Sequence, residues 1–191
     1  MTSLRRFQPQ DLLKMNLTNL DPLTENYNID YYLGYLMRQP ELFTVAEDAQ
    51  GNIVAYMMAK TEEHPLHLSF LEAYLPLHGH VTALTVSPTH RRLGLAQSLT
   101  SSLERHCDSI GCYFVDLFVR VSNVSAINLY RGMGYKVFRR VVGYYSDAIT
   151  GSGDGEDAFD MRKRLSRDKE GKYARETGGE EMRVSPEDIY L

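Results

Sequence analysis

The apolar and polar positions of this chain alternate between two periods, and the changes of period mark its elements. Residues 3–7 step in and out, with Leu4 and Arg6 on one side and Arg5 and Phe7 on the other, which predicts a short strand. Pro9-Gln10-Asp11 then opens a helical stretch, with Asp11 suited to a first turn and Leu12, Leu13, Leu17 and Leu20 forming an apolar side. Proline and the Asx residues between Asp21 and Asn28 break it. A second helix is expected over 29–37, with Tyr31, Tyr32, Tyr35 and Leu36 packing into the core. Residues 42–47 and 53–59 read as strands joined by the turn Asp48-Ala49-Gln50-Gly51-Asn52. Residues 61–78 admit two readings, an amphipathic helical insert or a loop folded over the sheet, because Pro65 and Pro76 bracket a run rich in Leu, Phe and Tyr.

The second half is more regular. Val81-Thr82-Ala83-Leu84-Thr85-Val86 predicts a strand, which Ser87-Pro88 ends because proline donates no ladder hydrogen bond. Leu95, Leu99, Leu103 and Ile110 recur at helical spacing. Residues 112–121 are apolar on both faces, as in a central strand. Ser122 or Asn123 caps the next helix, and Gly134 stops it. Residues 135–142 form a strand, Gly143-Tyr144-Tyr145-Ser146 a turn with two exposed tyrosines, 150–157 a loop tip, and 158–163 the last strand. Residues 166–181 are charged and almost free of apolar side chains, so a mobile linker is expected, with an end over 182–191 that regains Val184, Ile189 and Tyr190. The expected division is one α+β domain over 1–165, a mixed central sheet flanked by helices, and a charged tail over 166–191 that docks on the domain or on a partner.

Composition narrows the function. With 191 residues and 43% hydrophobic side chains the chain can build one real core. A net charge of −4 argues against a general nucleic-acid binder. No apolar run is long enough for a membrane helix, and Met1-Thr2-Ser3-Leu4-Arg5-Arg6 lacks a signal core. Cys107 and Cys112 fit no metal or redox spacing and read as reduced cytosolic thiols. His78 and His80 stand on one side at the start of the Val81 strand; without a supporting Cys or carboxylate cluster, no metal is expected there.

Candidate chemistry concentrates where the strand ending Leu84-Thr85-Val86 meets the helix that starts at Leu95. Arg91-Arg92-Leu93-Gly94-Leu95-Ala96 sets a doubly basic, glycine-containing turn against a helix N-terminus. Backbone N–H groups there lack helical partners and the helix dipole is positive, so the turn predicts a pyrophosphate cradle. About thirty residues on stands a second motif, Asn123-Val124-Ser125-Ala126-Ile127-Asn128-Leu129-Tyr130, followed by Gly134-Tyr135. The pair resembles the acetyl-CoA site of the GNAT (GCN5-related) acetyltransferases, in which the first motif wraps the pyrophosphate and the second supplies an Asn near pantetheine and a Tyr near the thiol. Within that superfamily the chain looks most like the catalytic subunits of type B N-terminal acetyltransferases. The shared stretches include Asp21-Pro22-Leu23-Thr24-Glu25, His78-Gly79-His80-Val81-Thr82-Ala83-Leu84, Phe114 to Asn123, Tyr144-Tyr145-Ser146, Asp160-Met161-Arg162-Lys163 and Pro186-Glu187-Asp188-Ile189.

The resemblance implies transfer of acetyl from acetyl-CoA to α-amines of proteins beginning Met-Asp, Met-Glu, Met-Asn or Met-Gln, by direct attack through a tetrahedral intermediate and without metal. It implies cofactor contacts from Leu84, Thr85, Val86, the 91–96 turn, Asn123, Asn128 and Tyr130. It implies peptide contacts from Glu25, Tyr27, His80, Tyr144 and Tyr145, with His80 reading the second side chain or relaying a proton through water. It also implies a nascent-chain substrate, a large helical-repeat auxiliary subunit, the ribosome as a partner through that complex, and a cytoplasmic location. The residues add chemistry of their own. Tyr130 lies two helical turns past Asn123, and its phenol can act as general acid toward a leaving thiolate. An α-amine, with a pKa near 8, is roughly a tenth neutral at pH 7, whereas a lysine amine near 10.4 is almost wholly charged. Two other readings stay open: a GNAT enzyme acting on lysine or small amines, and a non-catalytic acetyl-CoA-binding subunit.

Overall fold

The computed structural model describes residues 2–15, 18–20, 24–65, 74–145, 155–174 and 177–189. Eight strands join in one sheet in the order β1-β2-β3-β4-β5-β7-β6-β8. They are β1 (Ser3–Arg6), β2 (Phe43–Glu47), β3 (Ile53–Pro65), β4 (Tyr74–Val86), β5 (Phe114–Arg120), β6 (Lys136–Tyr145), β7 (Glu156–Arg164) and β8 (Arg183–Val184). Three α-helices are described, α1 (Ile29–Arg38), α2 (Leu95–Ser109) and α3 (Val124–Gly132). By its contacts the chain divides into two units, Met1–Lys60 with Val81–His106, and Thr61–His80 with Cys107–Leu191.

In the first unit β1, β2 and β3 pair antiparallel, and the Asp48–Asn52 turn closes the β2–β3 hairpin as its composition predicts. Gly51 takes φ 83° there, and the Asp48 carboxylate accepts hydrogen bonds from the Gln50 and Asn52 backbones. The core gathers Phe7, Tyr32, Phe43, Val45, Ile53, Tyr56 and Met58, with the Phe7 and Phe43 rings stacked 3.8 Å apart. Helix α1 starts where Asn28 Oδ1 accepts the Tyr31 N–H at 2.8 Å and ends before Pro40. The helix expected from Pro9 is instead a single 3-10 turn, Pro9–Leu13. Asp11 explains the early stop: its carboxylate is held by Arg5 and by the Gln8 N–H, and Lys14 N closes on Asp11 O. Leu13 and Leu20, expected on an apolar side, are 84% and 72% exposed, and Leu17 lies outside the described residues.

In the second unit β7 lies between β5 and β6 and is antiparallel to both. Residues 61–65 and 74–78 lengthen the β3 and β4 strands, so neither reading of 61–78 holds at its ends; 66–73 lie outside the described residues. His78 and His80 are therefore inside β4 rather than at its start. Gly143, Tyr144 and Tyr145 belong to β6 and are half-buried, not an exposed turn, because the β6 register shifts between Val141 and Tyr145 while pairing continues to Glu156. Most of the expected loop tip, and Ser146, lie outside the described residues. The strand expected to be last is followed by β8, which pairs parallel to β6. The stretch expected to be a linker packs instead. Asp168 is buried and accepts the Lys172 and Tyr173 N–H groups, and Tyr173 stacks against Phe114.

Candidate functional site

In the first unit the chain leaves β4 through Ser87, whose N–H donates to Val54 O at 2.8 Å. Arg92 takes φ 65° and Gly94 φ 78°. Left-handed residues in a short run turn their N–H groups inward and form an anion-binding concavity. Arg91, Arg92 and Leu93 are exposed, and a Cβ on Gly94 would meet no atom within 4 Å. Leu95 is buried and anchors the head of α2, whose first bond runs from Ser98 N to Gly94 O at 2.9 Å. Ala96 is half-buried beside it. Open backbone, two exposed guanidinium groups and a positive helix end are what a pyrophosphate needs. The Thr85 hydroxyl, by contrast, is buried and bonded to Thr18 O and the Thr24 hydroxyl, so its side chain serves the fold. Leu84 and Val86 flank it half-buried.

The same unit holds Glu25 and Tyr27 in the stretch that leads into α1. Tyr27 stacks on Tyr31 at 4.4 Å and its hydroxyl donates to Thr82 O at 3.4 Å. Tyr35 shares a 2.7 Å hydrogen bond with the Thr82 hydroxyl. Tyr35 packs against the core as expected, whereas Tyr31 is 40% exposed, and both extend the Tyr27 surface at i, i+4, i+8 spacing.

The second unit holds His80, Tyr144 and Tyr145 and joins them through Phe118. Tyr144 stacks on Phe118 at 4.6 Å, the His80 ring lies 5.8 Å from it, and the Tyr145 hydroxyl donates to Phe118 O at 3.1 Å. The Arg120 guanidinium lies 4.0 Å over the Tyr145 ring. On α3, Asn123 is the N-cap and its Oδ1 accepts the Ala126 N–H at 3.1 Å, which leaves the amide Nδ2 for any ligand. Asn128 is exposed. Tyr130 is buried edge-on to Tyr135, and that burial pushes its phenol well above the ordinary value.

His80 also opens onto a cavity of about 10 Å³ that holds charges the sequence did not announce. Its Nδ1 lies 2.8 Å from Asp116 Oδ1. Burial pushes the Asp116 carboxyl up, but His80, His78 and Arg162 hold it below the usual carboxylate range. An ionised carboxylate only accepts, so His80 Nδ1 carries a proton. His78 is buried, stacked on Phe114 at 4.7 Å, with Nδ1 donating to Pro76 O at 2.9 Å. Its Nε2 lies 3.5 Å from Glu62 and 3.9 Å from Asp116. Burial opposes its charge, yet Glu62, Asp116 and Pro76 O outweigh burial and raise His78 above the ordinary imidazole value. Arg139 and Arg162 line the same cavity and both pair with buried Asp160, at 3.0 and 2.9 Å. The Asp188 and Ile189 carbonyls close on Arg139. Among the described residues, no group of three His, Cys, Asp or Glu side chains is arranged to hold a metal ion.

Comparison with known proteins places this geometry. The model of the acetyltransferase (GNAT) family matches residues 10–135. The chain is 46% identical over 191 residues to the "N-terminal acetyltransferase B complex catalytic subunit naa20" of Schizosaccharomyces pombe, covering 99% of each chain. It superposes with TM-score 0.92 on Chaetomium thermophilum Naa20 in complex with a bisubstrate analogue, at 46% identity over 99% of this chain and 100% of that one. A NatB acetyltransferase complex bound to CoA and MES contains a chain matched with TM-score 0.71 at 44% identity, over 85% of this chain and 99% of that one.

Proposed function

We infer the function from one premise: the chain belongs to the acetyltransferase (GNAT) family, and its fold is the GNAT fold. It is an N-terminal acetyltransferase, the catalytic subunit of a type B complex, and it acetylates the α-amino group of a peptide substrate. Its cosubstrate is acetyl-CoA, which supplies an activated acyl group as a thioester. The observation that carries the assignment is the likeness over nearly the full length of both chains.

The residue roles are our proposal. Arg91, Arg92 and the backbone from Leu93 to Ala96 hold the pyrophosphate; Leu84, Thr85 and Val86 offer backbone, and Asn123 and Asn128 offer amides. Tyr130 stays protonated through the physiological range, because burial raises its phenol, and donates toward the departing sulfur. Cys107 and Cys112 are fully buried, so neither takes up the acetyl group. The α-amine attacks directly, and being partly neutral near pH 7 it needs only a weak base, a water relayed to His80 or to a tyrosine. Glu25 attracts the cationic terminus, and Tyr27, Tyr144 and Tyr145 are proposed to contact the peptide. His80 reads the second residue, and the preferred termini are Met-Asp, Met-Glu, Met-Asn and Met-Gln.

The test is a panel of peptides that differ only in their first two residues, with acetyl-CoA. Met-Glu and Met-Gln should be acetylated at least about tenfold faster than Met-Leu or Ser-Glu, since an unpartnered buried polar group costs about 1–3 kcal/mol. Equal rates on Met-Leu, or faster acetylation of an internal lysine, would show the substrate assignment wrong while leaving the fold assignment intact.

We also propose residues 1–165 as the catalytic domain and 166–191 as a tail, a large helical-repeat auxiliary subunit as partner, and work at the ribosome in the cytoplasm, where new N-termini emerge. Exposed Leu13, Leu20, Ile29 and Met37 support a docking face in the first forty residues. Leu13→Asp with Met37→Asp should abolish co-purification with that subunit; undiminished co-purification would place the face elsewhere.

A further inference from the structure

Among the described residues, the charged groups gathered about His80 come in equal numbers of each sign. Glu62 on β3, Asp116 on β5 and Asp160 on β7 supply three carboxylates. His78 on β4, Arg139 on β6 and Arg162 on β7 supply three cations, with the His78 charge favoured by its acidic neighbours. His80 itself is fixed by Asp116 so that Nδ1 donates and Nε2 is the free end of the ring. Among the described residues none hydrogen-bonds Nε2, and the side chain keeps 14% of its surface exposed at the cavity beside Phe118.

That geometry separates two kinds of partner. With Nδ1–H committed to Asp116, neutral His80 presents a lone pair at Nε2. It can accept from the NH₂ of an Asn or Gln side chain. It cannot donate to a carboxylate, which offers only lone pairs. To bind Asp or Glu, His80 must take a second proton at Nε2. The incoming carboxylate and that proton enter together, and the cluster stays balanced.

Resting on the reading that His80 contacts the second residue of the substrate, we propose that Asp116 is the positioning residue that makes His80 a proton-coupled selector: acidic second residues are bound with uptake of one proton at Nε2, and amide second residues are bound without it. Asp116 fixes which nitrogen faces the substrate and places a carboxylate against the far side of the ring. Selectivity between acid and amide then belongs to pH as well as to shape.

The parent chain tests this without any variant. The ratio of kcat/KM for Met-Glu over Met-Gln cancels the α-amine titration, cofactor binding and acetyl transfer, which the two peptides share. The substrate glutamate stays ionised throughout, with a pKa near 4.3. Because one proton accompanies the acidic peptide only, the ratio should fall as pH rises, by about tenfold or more across the range the enzyme tolerates. Asp116→Asn keeps the side-chain shape but removes the charge. It should lower the ratio at about pH 7 by about tenfold and flatten its pH dependence. A ratio in the parent that does not change with pH overturns the proposal, as does a ratio that Asp116→Asn leaves within about twofold. His80→Ala separates recognition of the second residue from proton coupling. If that variant still prefers Met-Gln to Met-Leu as the parent does, His80 does not read the second residue and the underlying reading fails. If the preference goes while the parent ratio is flat with pH, only the proton coupling fails.

Discussion

At the scale of the residue, Tyr130 and Gly94 carry the sharpest expectations. Tyr130→Phe keeps the buried ring against Tyr135 and removes only the hydroxyl. Turnover should fall about 10²–10⁴-fold, the usual worth of a general acid, with acetyl-CoA affinity nearly unchanged by calorimetry. Because burial holds the phenol above its ordinary value, the parent rate should show no alkaline limb from Tyr130 below about pH 10. Turnover within twofold of the parent would pass the proton to solvent. Gly94→Asp meets open space, and Asp tolerates the left-handed backbone that φ 78° imposes better than most residues. The protein should therefore stay folded while a carboxylate enters the anion cradle. Acetyl-CoA affinity should drop at least about tenfold, or about 1.4 kcal/mol, and an unchanged calorimetric affinity in the folded variant would move the pyrophosphate elsewhere. Gly94, Asn123 and Tyr130 could be proposed from the sequence because each belongs to a motif of local spacing. Glu62, Asp116, Arg139, Asp160 and Arg162 were not, since they come from four strands and meet only through sheet register. The one hint was Asp116 itself, a carboxylate in the middle of a strand that is otherwise apolar on both faces.

At the scale of the element, the helices α1, α2 and α3 and the β2–β3 hairpin follow from period and capping, and Leu95, Leu99 and Leu103 are buried as their spacing requires. Ile110 misses the helix, which ends at Ser109, and is exposed. Elements set by distant partners were harder to read. The Pro9 segment stops after one turn because Arg5, on another element, holds Asp11. The stretch after 165 is polar enough to suggest a linker, yet its polar groups are spent on local turns, on β6, on Asp108 and Gly111 at the end of α2 and on Arg131 of α3. Gly179 shows how closely this tail is fitted, for a Cβ there would collide with the Val137 carbonyl. Nearby, Arg140 N donates to Met182 O at 2.8 Å and Val184 pairs with Val141. Gly179→Ala should therefore lower stability in urea by about 1–3 kcal/mol, the range for forced overpacking, and expose the tail to limited proteolysis. A variant with the parent's urea midpoint and the parent's cleavage pattern would mean that this stretch yields at little cost.

At the scale of the whole molecule, buried charge makes stability depend on pH in two opposite senses. Asp11 and Asp116 are both pushed up by burial and pulled down further by their partners, Arg5 for the first and the two histidines with Arg162 for the second. A carboxyl whose folded value lies below its unfolded one contributes stability that is complete above the unfolded value, near 4, and is lost as pH falls through the folded value. The acid limb should therefore begin near pH 4. His78 acts the other way. Burial opposes its charge, but Glu62, Asp116 and Pro76 O raise it. Its contribution is complete below about pH 6.5, the unfolded imidazole value, and is lost as pH rises through the higher folded value. Cys112, whose thiol is pulled down chiefly by its hydrogen bond with Cys107, adds stability at higher pH, so the histidine shows best between about pH 6 and pH 8. Urea midpoints across that window should decline with pH in the parent. His78→Gln keeps a hydrogen-bonding side chain of similar reach that cannot charge; it should lower the whole profile and remove the decline. A parent profile flat from about pH 6 to pH 8, or a decline that His78→Gln leaves untouched, would mean that His78 does not stand as a cation between Glu62 and Asp116. The charge balance on which His80 depends would then have to be redrawn with one proton fewer.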